Sequence, residues 1–145
     1  MNNVELEEIL QMYPVTVCCA DELPASIKNR PRTFVVNTDP CSKSGSHWTV
    51  FHFPDKGPCE FFDSAGNLPA FYQPRFEFVL VVNGSHYLYT PDRIQPTDSV
   101  TCGLYCVYFV QQRYGNVSFK NIMKGFSTMH LMDNDRRVLR KTIRD

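Results

Sequence analysis

The segment CGLYCVYFVQQRY, residues 102–114, constrains the fold more than any other part of the chain. It reads as a helix, with Gly115 following as a suitable C′ residue. Its apolar positions nearly surround the helix axis, so no face can be left to solvent. Such a helix must sit centrally, with other elements covering it. At 145 residues the chain suits a single domain, 1–145, large enough to bury that helix without staples.

The covering elements are legible in outline. Val4 to Met12 reads as a short helix capped by Asn3, with Leu6, Ile9 and Leu10 on one face and Pro14 ending it. VTVCC, residues 15–19, is β-prone, and Asp21 to Pro31 reads as a loop. Thr33–Asn37, Trp48–Phe53 and Cys59–Phe62 read as strands. The last two flank a Pro54-Asp55-Lys56-Gly57 turn and form an antiparallel hairpin. Arg75–Val82 carries a β-branched end that says strand, while Asn83-Gly84 suits either a hairpin turn or a helix end. His86–Tyr89 reads as a strand. Ser118 can cap a helix over 119–126, and Asp133 one over 135–143. The expected class is α+β, a mixed or antiparallel sheet packed on a central buried helix.

Composition excludes some functions. Fifteen basic and fifteen acidic residues cancel, so no global field recruits nucleic acid or an anionic membrane. Arg136, Arg137, Arg140, Lys141 and Arg144 make the C-terminal tail basic, a local feature that can touch DNA but reads first as a solvated helix face. No apolar run approaches the roughly 20 residues that span a bilayer. MNNVELEEIL is acidic and amphipathic, unlike a secretory leader. Cysteines 18, 19, 41, 59, 102 and 106 are therefore expected to be mostly free thiols in a reducing compartment. They contain no C-x-x-C pair, so no metal site is expected.

The chemistry centres on Cys102. It stands between the polar Pro96-Thr97-Asp98-Ser99 and the start of the buried helix. Unpaired backbone N–H groups and the helix dipole favour negative charge there, which shifts a thiol toward thiolate. Gly103 lets a substrate backbone approach. A lone cysteine at such a place is more often a small core residue. His47 changes the balance. It opens a strand after the flexible Ser42-Lys43-Ser44-Gly45-Ser46, and an imidazole there can take and return a proton near neutrality. His52, five positions on, faces the other side of that strand. Asp63 ends the next strand and can orient the imidazole if the chain bends, although Asp-Ser-Ala-Gly is also ordinary turn chemistry. Gln95, seven residues before Cys102, can donate to an oxyanion together with the Cys102 N–H.

In their order along the chain these residues resemble the adenovirus-type cysteine proteases, including those of polinton-like elements, and more distantly the proteases of ubiquitin-like modifiers. The resemblance rests on His47-Trp48 opening a strand, on Phe61-Phe62-Asp63-Ser64 ending another, and on IQPTDSVTCGLYCVYF, residues 94–109. It implies a triad of His47, Asp63 and Cys102, Gln95 as oxyanion donor, and Trp48 lining the substrate cleft beside Gly103. By the same analogy Arg75–Val82 is a helix capped at Gly84. Asp63 stands where adenoviral members commonly carry Glu, and those members are longer. They are activated by a disulfide-linked viral peptide and by DNA. This chain has no cysteine between Cys59 and Cys102 to hold such a peptide, so no cofactor is expected.

The resemblance implies a monomeric thiol endopeptidase of a virus or virus-like element, acting on capsid or core precursors during maturation, in the virion or in the host nucleus or cytoplasm. Two other readings remain open at this point. A deconjugase for ubiquitin or a ubiquitin-like protein would use the same chemistry on a diglycine-ending substrate, and reporter substrates distinguish it. A degenerate protease fold kept for binding would be inert toward a thiol-reactive probe.

Overall fold

In the computed structural model of the protein, residues 1–144 are described, with side chains to residue 142. Five strands form one sheet: β1 (Val15–Cys18), β2 (Arg32–Asn37), β3 (Trp48–Phe53), β4 (Cys59–Phe62) and β5 (Tyr87–Tyr89), side by side in chain order. The expected β3–β4 hairpin is at the centre, antiparallel to β2 as well. Parallel pairs, β1 with β2 and β4 with β5, flank it, so the sheet is mixed. Six helices complete the α+β fold: α1 (Asn3–Leu10), α2 (Pro69–Tyr72), α3 (Pro74–Val82), α4 (Cys102–Tyr114), α5 (Phe119–Lys124) and α6 (Leu131–Arg144).

The helix with no polar face is the central one. Tyr105 to Val110 of α4 are six consecutive buried residues, packed with β3, α1, α5 and α6. The two-residue period of the strands divides the core between the two faces of the sheet. Val50 and Phe62, a cross-strand pair, face α4, where Phe62 stacks on Phe109 at 4.6 Å. The next pair, Phe51 and Phe61, faces α3, with Phe76 5.0 Å from Phe51. The sheet is thus covered on both sides, where the sequence led us to expect one central helix. A buried phenylalanine in such a core typically contributes about 3–5 kcal/mol against alanine.

The second layer explains why Arg75–Val82 is helical despite its β-branched end. Pro74 stands in the first turn, where its fixed φ suits a helix start. Phe76, Val79 and Leu80 then fall on one face and are fully buried. Packing overrides propensity here. The helix ends at Asn83, whose side chain accepts from Ile27 N–H, rather than at Gly84.

Several boundaries differ from expectation. The cap of α1 is Asn2, in a reciprocal capping box with Glu5, because Asn3 is already helical. Ile9 is 41% exposed, so only Leu6 and Leu10 anchor that helix. Gly115 closes α4 with ordinary negative φ, and Asn116 takes the left-handed conformation. Ser118 caps α5 as expected. Helix α6 starts at Leu131, which places Asp133 in its first turn, paired with Arg136. Within the basic tail Arg137 donates to the Gly125 carbonyl. Asp145 and the side chain of Arg144 lie outside the described residues. Among those described, no helix is long and apolar enough to cross a membrane.

The cysteine expectation needs one correction. Cys18, Cys59, Cys102 and Cys106 are free, but Cys19 and Cys41 form a disulfide with Cα atoms 5.2 Å apart. The 38–47 loop folds back on the end of β1, with Ala20 N–H donating to the Asp39 carbonyl and Cys41 N–H to the Asp21 carboxylate. That return brings two cysteines 22 residues apart in sequence face to face. Glu22 lies within 4.8 Å of both, with the sulfurs bonded to each other.

Candidate active site

Three segments meet at the open end of the β3–β4 hairpin: the residue before β3, the turn after β4, and the tip of α4. His47 immediately precedes β3, and its carbonyl accepts from Thr38 N–H, which fixes it across from the end of β2. Gly45 shapes the approach. Its φ is +81°, and a Cβ there would stand 2.6 Å from the Asn37 side-chain nitrogen. Asp63 follows β4 and is fully buried. Gly66, at φ +74°, closes the turn by donating to the Asp63 carbonyl, and a Cβ on it would run into the Asp92–Arg93 backbone.

The imidazole and the carboxylate are in contact. His47 Nε2 donates to Asp63 Oδ1 at 2.6 Å. The carboxylate also accepts from Ala65 N–H on Oδ1 and from Asn67 N–H and the Tyr72 hydroxyl on Oδ2. With Nε2 engaged, Nδ1 is the ring nitrogen available to the sulfur, and His47 and Cys102 each shift the other's titration. Burial works against the imidazolium of His47. Its bonds to Asp63 and Cys102 outweigh that effect and raise its pKa from 6.5 to about 9. Burial likewise works against the Cys102 thiolate, but His47 and backbone bonds from Trp48 and Gly103 lower the pKa below its ordinary 9.0. The opposed shifts favour a thiolate–imidazolium pair.

Thr101 precedes α4 as its N-cap but makes no capping bond to the helix. Its hydroxyl, with those of Ser99 and Tyr105, donates to Asp135 of α6 instead. The first N–H groups of α4 are therefore not masked by that side chain.

Gln95 lines the same cleft as Cys102 and is itself 5% exposed. Its Oε1 accepts from the Ser64 hydroxyl at 2.6 Å, and its Nε2 donates to the Ser99 carbonyl at 2.9 Å. An amide nitrogen carries two hydrogens, so one remains after the Ser99 bond. The residue beside Asp63 thus orients Gln95, and Ser64 also accepts the backbone N–H groups of Ile94 and Gln95.

Trp48 lines the cleft beside Cys102, Gly103 next to Cys102 in sequence is buried, and the chain's own first residue sits on both. The Trp48 indole N–H donates to the Met1 carbonyl at 2.9 Å. A Cβ on Gly103 would stand 3.0 Å from the Met1 Cβ. The cleft has a volume of about 590 Å³ and continues past Asn37, Asp39 and the Cys19–Cys41 disulfide.

His52 is elsewhere. It is buried on the strand's other side, bonded through Nδ1 to the Thr33 hydroxyl at 2.7 Å. Burial, then the nearby Arg113, lowers its pKa to about 3. Tyr72, Asp135 and Met1 had no motif to announce them, and Ser64 stood in the Phe61-Phe62-Asp63-Ser64 motif without a role. The one available signal was aromatic: Tyr72 lies in FYQP, just before the Pro74 that starts α3.

No family model matches the chain, and no curated protein matches it in sequence. Among solved structures it is similar to the selenomethionine crystal structure of the ASFV pS273R protease, at 21% identity and a TM-score of 0.56. The match covers 91% of this chain and 64% of that one, so this chain spans less than two thirds of the protein it resembles. What the two share is the fold.

Proposed function

We propose that the protein is a thiol endopeptidase with Cys102 as nucleophile, His47 as general base and acid, and Asp63 as the orienting carboxylate. The observation that carries this reading is that His47, bonded to Asp63, lines the same open cleft as Cys102, which sits at an uncapped helix tip. The Cys102 thiolate attacks a peptide carbonyl carbon. The developing oxyanion takes the Cys102 N–H and the remaining Gln95 amide hydrogen. The His47 imidazolium protonates the leaving amine as the C–N bond breaks, leaving an acyl thioester on Cys102. Neutral His47 then removes a proton from water, which attacks the thioester and returns Cys102 and a carboxylic acid. Trp48 and Gly103 bind the substrate main chain: the indole N–H holds a carbonyl, as it holds that of Met1.

The substrates we propose are structural precursor proteins of a virus or virus-like element. Support comes from the adenovirus-type motif order and from the fold shared with the ASFV pS273R protease. The test is incubation of wild type and Cys102→Ala with precursor-derived peptides and, in parallel, with ubiquitin-like reporters. Cleavage of the peptides by wild type alone supports the reading. Cleavage of the reporters alone replaces it with deconjugation. Cleavage of neither removes it.

A further inference from the structure

We propose that Tyr72 is a positioning residue of this site, with its hydroxyl holding the Asp63 carboxylate and its ring holding the His47 imidazole. The inference rests on the protease reading above and adds a residue to it. The hydroxyl donates to Asp63 Oδ2 at 2.6 Å, and the ring stacks on the His47 ring, with centroids 5.6 Å apart and planes 28° apart.

The other donors to Asp63 do a different job. Ala65 N–H and Asn67 N–H belong to the turn that Asp63 itself begins, so they fix the carboxylate only relative to its own loop. Tyr72 ends α2, a separate element, and ties that carboxylate to the imidazole it must meet. Asn67 completes the arrangement. Its side-chain amide donates to the Tyr72 oxygen at 3.1 Å, which leaves the single phenol hydrogen for Asp63. Burial, reinforced by the Asp63 charge, pushes the phenol pKa upward, so the group stays a donor. The charged or titratable groups facing this cluster are His47, Cys102 and Arg93. Packing also holds α2, since Pro69 is buried and Tyr72 lies against the α3-side core, while Phe71 beside it is 67% exposed.

The test reads the nucleophile rather than turnover. The rate of iodoacetamide alkylation of Cys102, measured on its peptide by mass spectrometry across pH, is compared in wild type, Tyr72→Phe, Asp63→Ala and the double variant. Tyr72→Phe keeps the ring and is expected to slow alkylation at neutral pH by about tenfold, with the onset of reactivity moving toward higher pH. In the Asp63→Ala background the same change is expected to alter the rate by less than about twofold. An unchanged rate in Tyr72→Phe overturns the proposal. So does an equal loss in both backgrounds, which would make Tyr72 a packing residue. Should Tyr72→Phe fail to fold, Asn67→Ala reads the same link and is expected to slow alkylation in the same direction; no change there overturns it. Failure of the protease reading is distinguishable: the wild type then cleaves no peptide while the alkylation profiles stand.

Discussion

His47 and Asp63 touch at 2.6 Å although the β-ladder does not pair them. Continuing the Val50–Phe62 register by one residue on each strand sets Asp63 opposite Thr49, two residues from His47. The two are diagonal neighbours, on positions of the same parity, and long side chains cross that gap. The carboxylate and the imidazole meet across that diagonal, just beyond the last ladder pair. This geometry belongs to the open end of the hairpin, where Gly66 and the four donors to Asp63 hold it.

Removing the sulfur separates chemistry from fold. Cys102→Ala is expected to abolish peptide cleavage while the far-UV spectrum and melting temperature stay near wild type, since Cys102 is only partly buried. Cleavage retained at the wild-type level would move the nucleophile to another residue.

From the opposed shifts of Cys102 and His47 a bell-shaped pH profile is expected, with activity rising as Cys102 loses its proton, below the ordinary 9.0, and falling as His47 loses its own at about 9. The same raised His47 pKa contributes to folding stability. That contribution is fully present below the unfolded value of 6.5 and is lost as pH rises through about 9. A kcat/KM profile whose alkaline limb lies near 6.5 would show an imidazole not held by its partners.

Asp63→Asn is expected to cost less activity than His47→Ala, because orientation is only part of what the base does. The amide also offers a nitrogen to a site lined with four donors, so stability falls by about 1–3 kcal/mol. The alkaline limb moves down from about 9. Equal activity losses in the two variants would assign Asp63 a structural role instead.

The Cys19–Cys41 bridge closes a loop with a sequence separation of 22, and on the chain-entropy model Cys19→Ser lowers unfolding free energy by about 3 kcal/mol. Chemical denaturation of the oxidised variant pair measures it. Unchanged stability would mean that the loop is held by its hydrogen bonds to Asp21 and Ala20 alone.

Legibility in the sequence followed the strength of local signals. Cys102–Tyr114 was readable to the residue because an all-round apolar helix between a polar loop and a glycine has one interpretation. β3 and β4 were readable for the same reason, through alternation and a Pro-Asp-Lys-Gly turn. α3 was ambiguous because its face pattern becomes decisive only once the far side of the sheet is known to need covering. α2 is four residues long and carries no periodic signal, so only the aromatic pair before Pro74 pointed to Tyr72. The disulfide could not be read because its partners meet only after the 38–47 loop folds back. At the site, residue types and order were visible; the bonds from Ser64 to Gln95 and from Tyr72 to Asp63 depend on turns no spacing encodes.

As nucleophile, the Cys102 sulfur would carry the acyl group during turnover. Acid-quenching the enzyme in the first turnovers on a cleavable peptide and mapping the adduct by mass spectrometry tests it directly. The expected result is the N-terminal product fragment attached to Cys102 as a thioester that hydroxylamine releases. An acyl group on any other residue, or steady cleavage with Cys102 never modified, would contradict it.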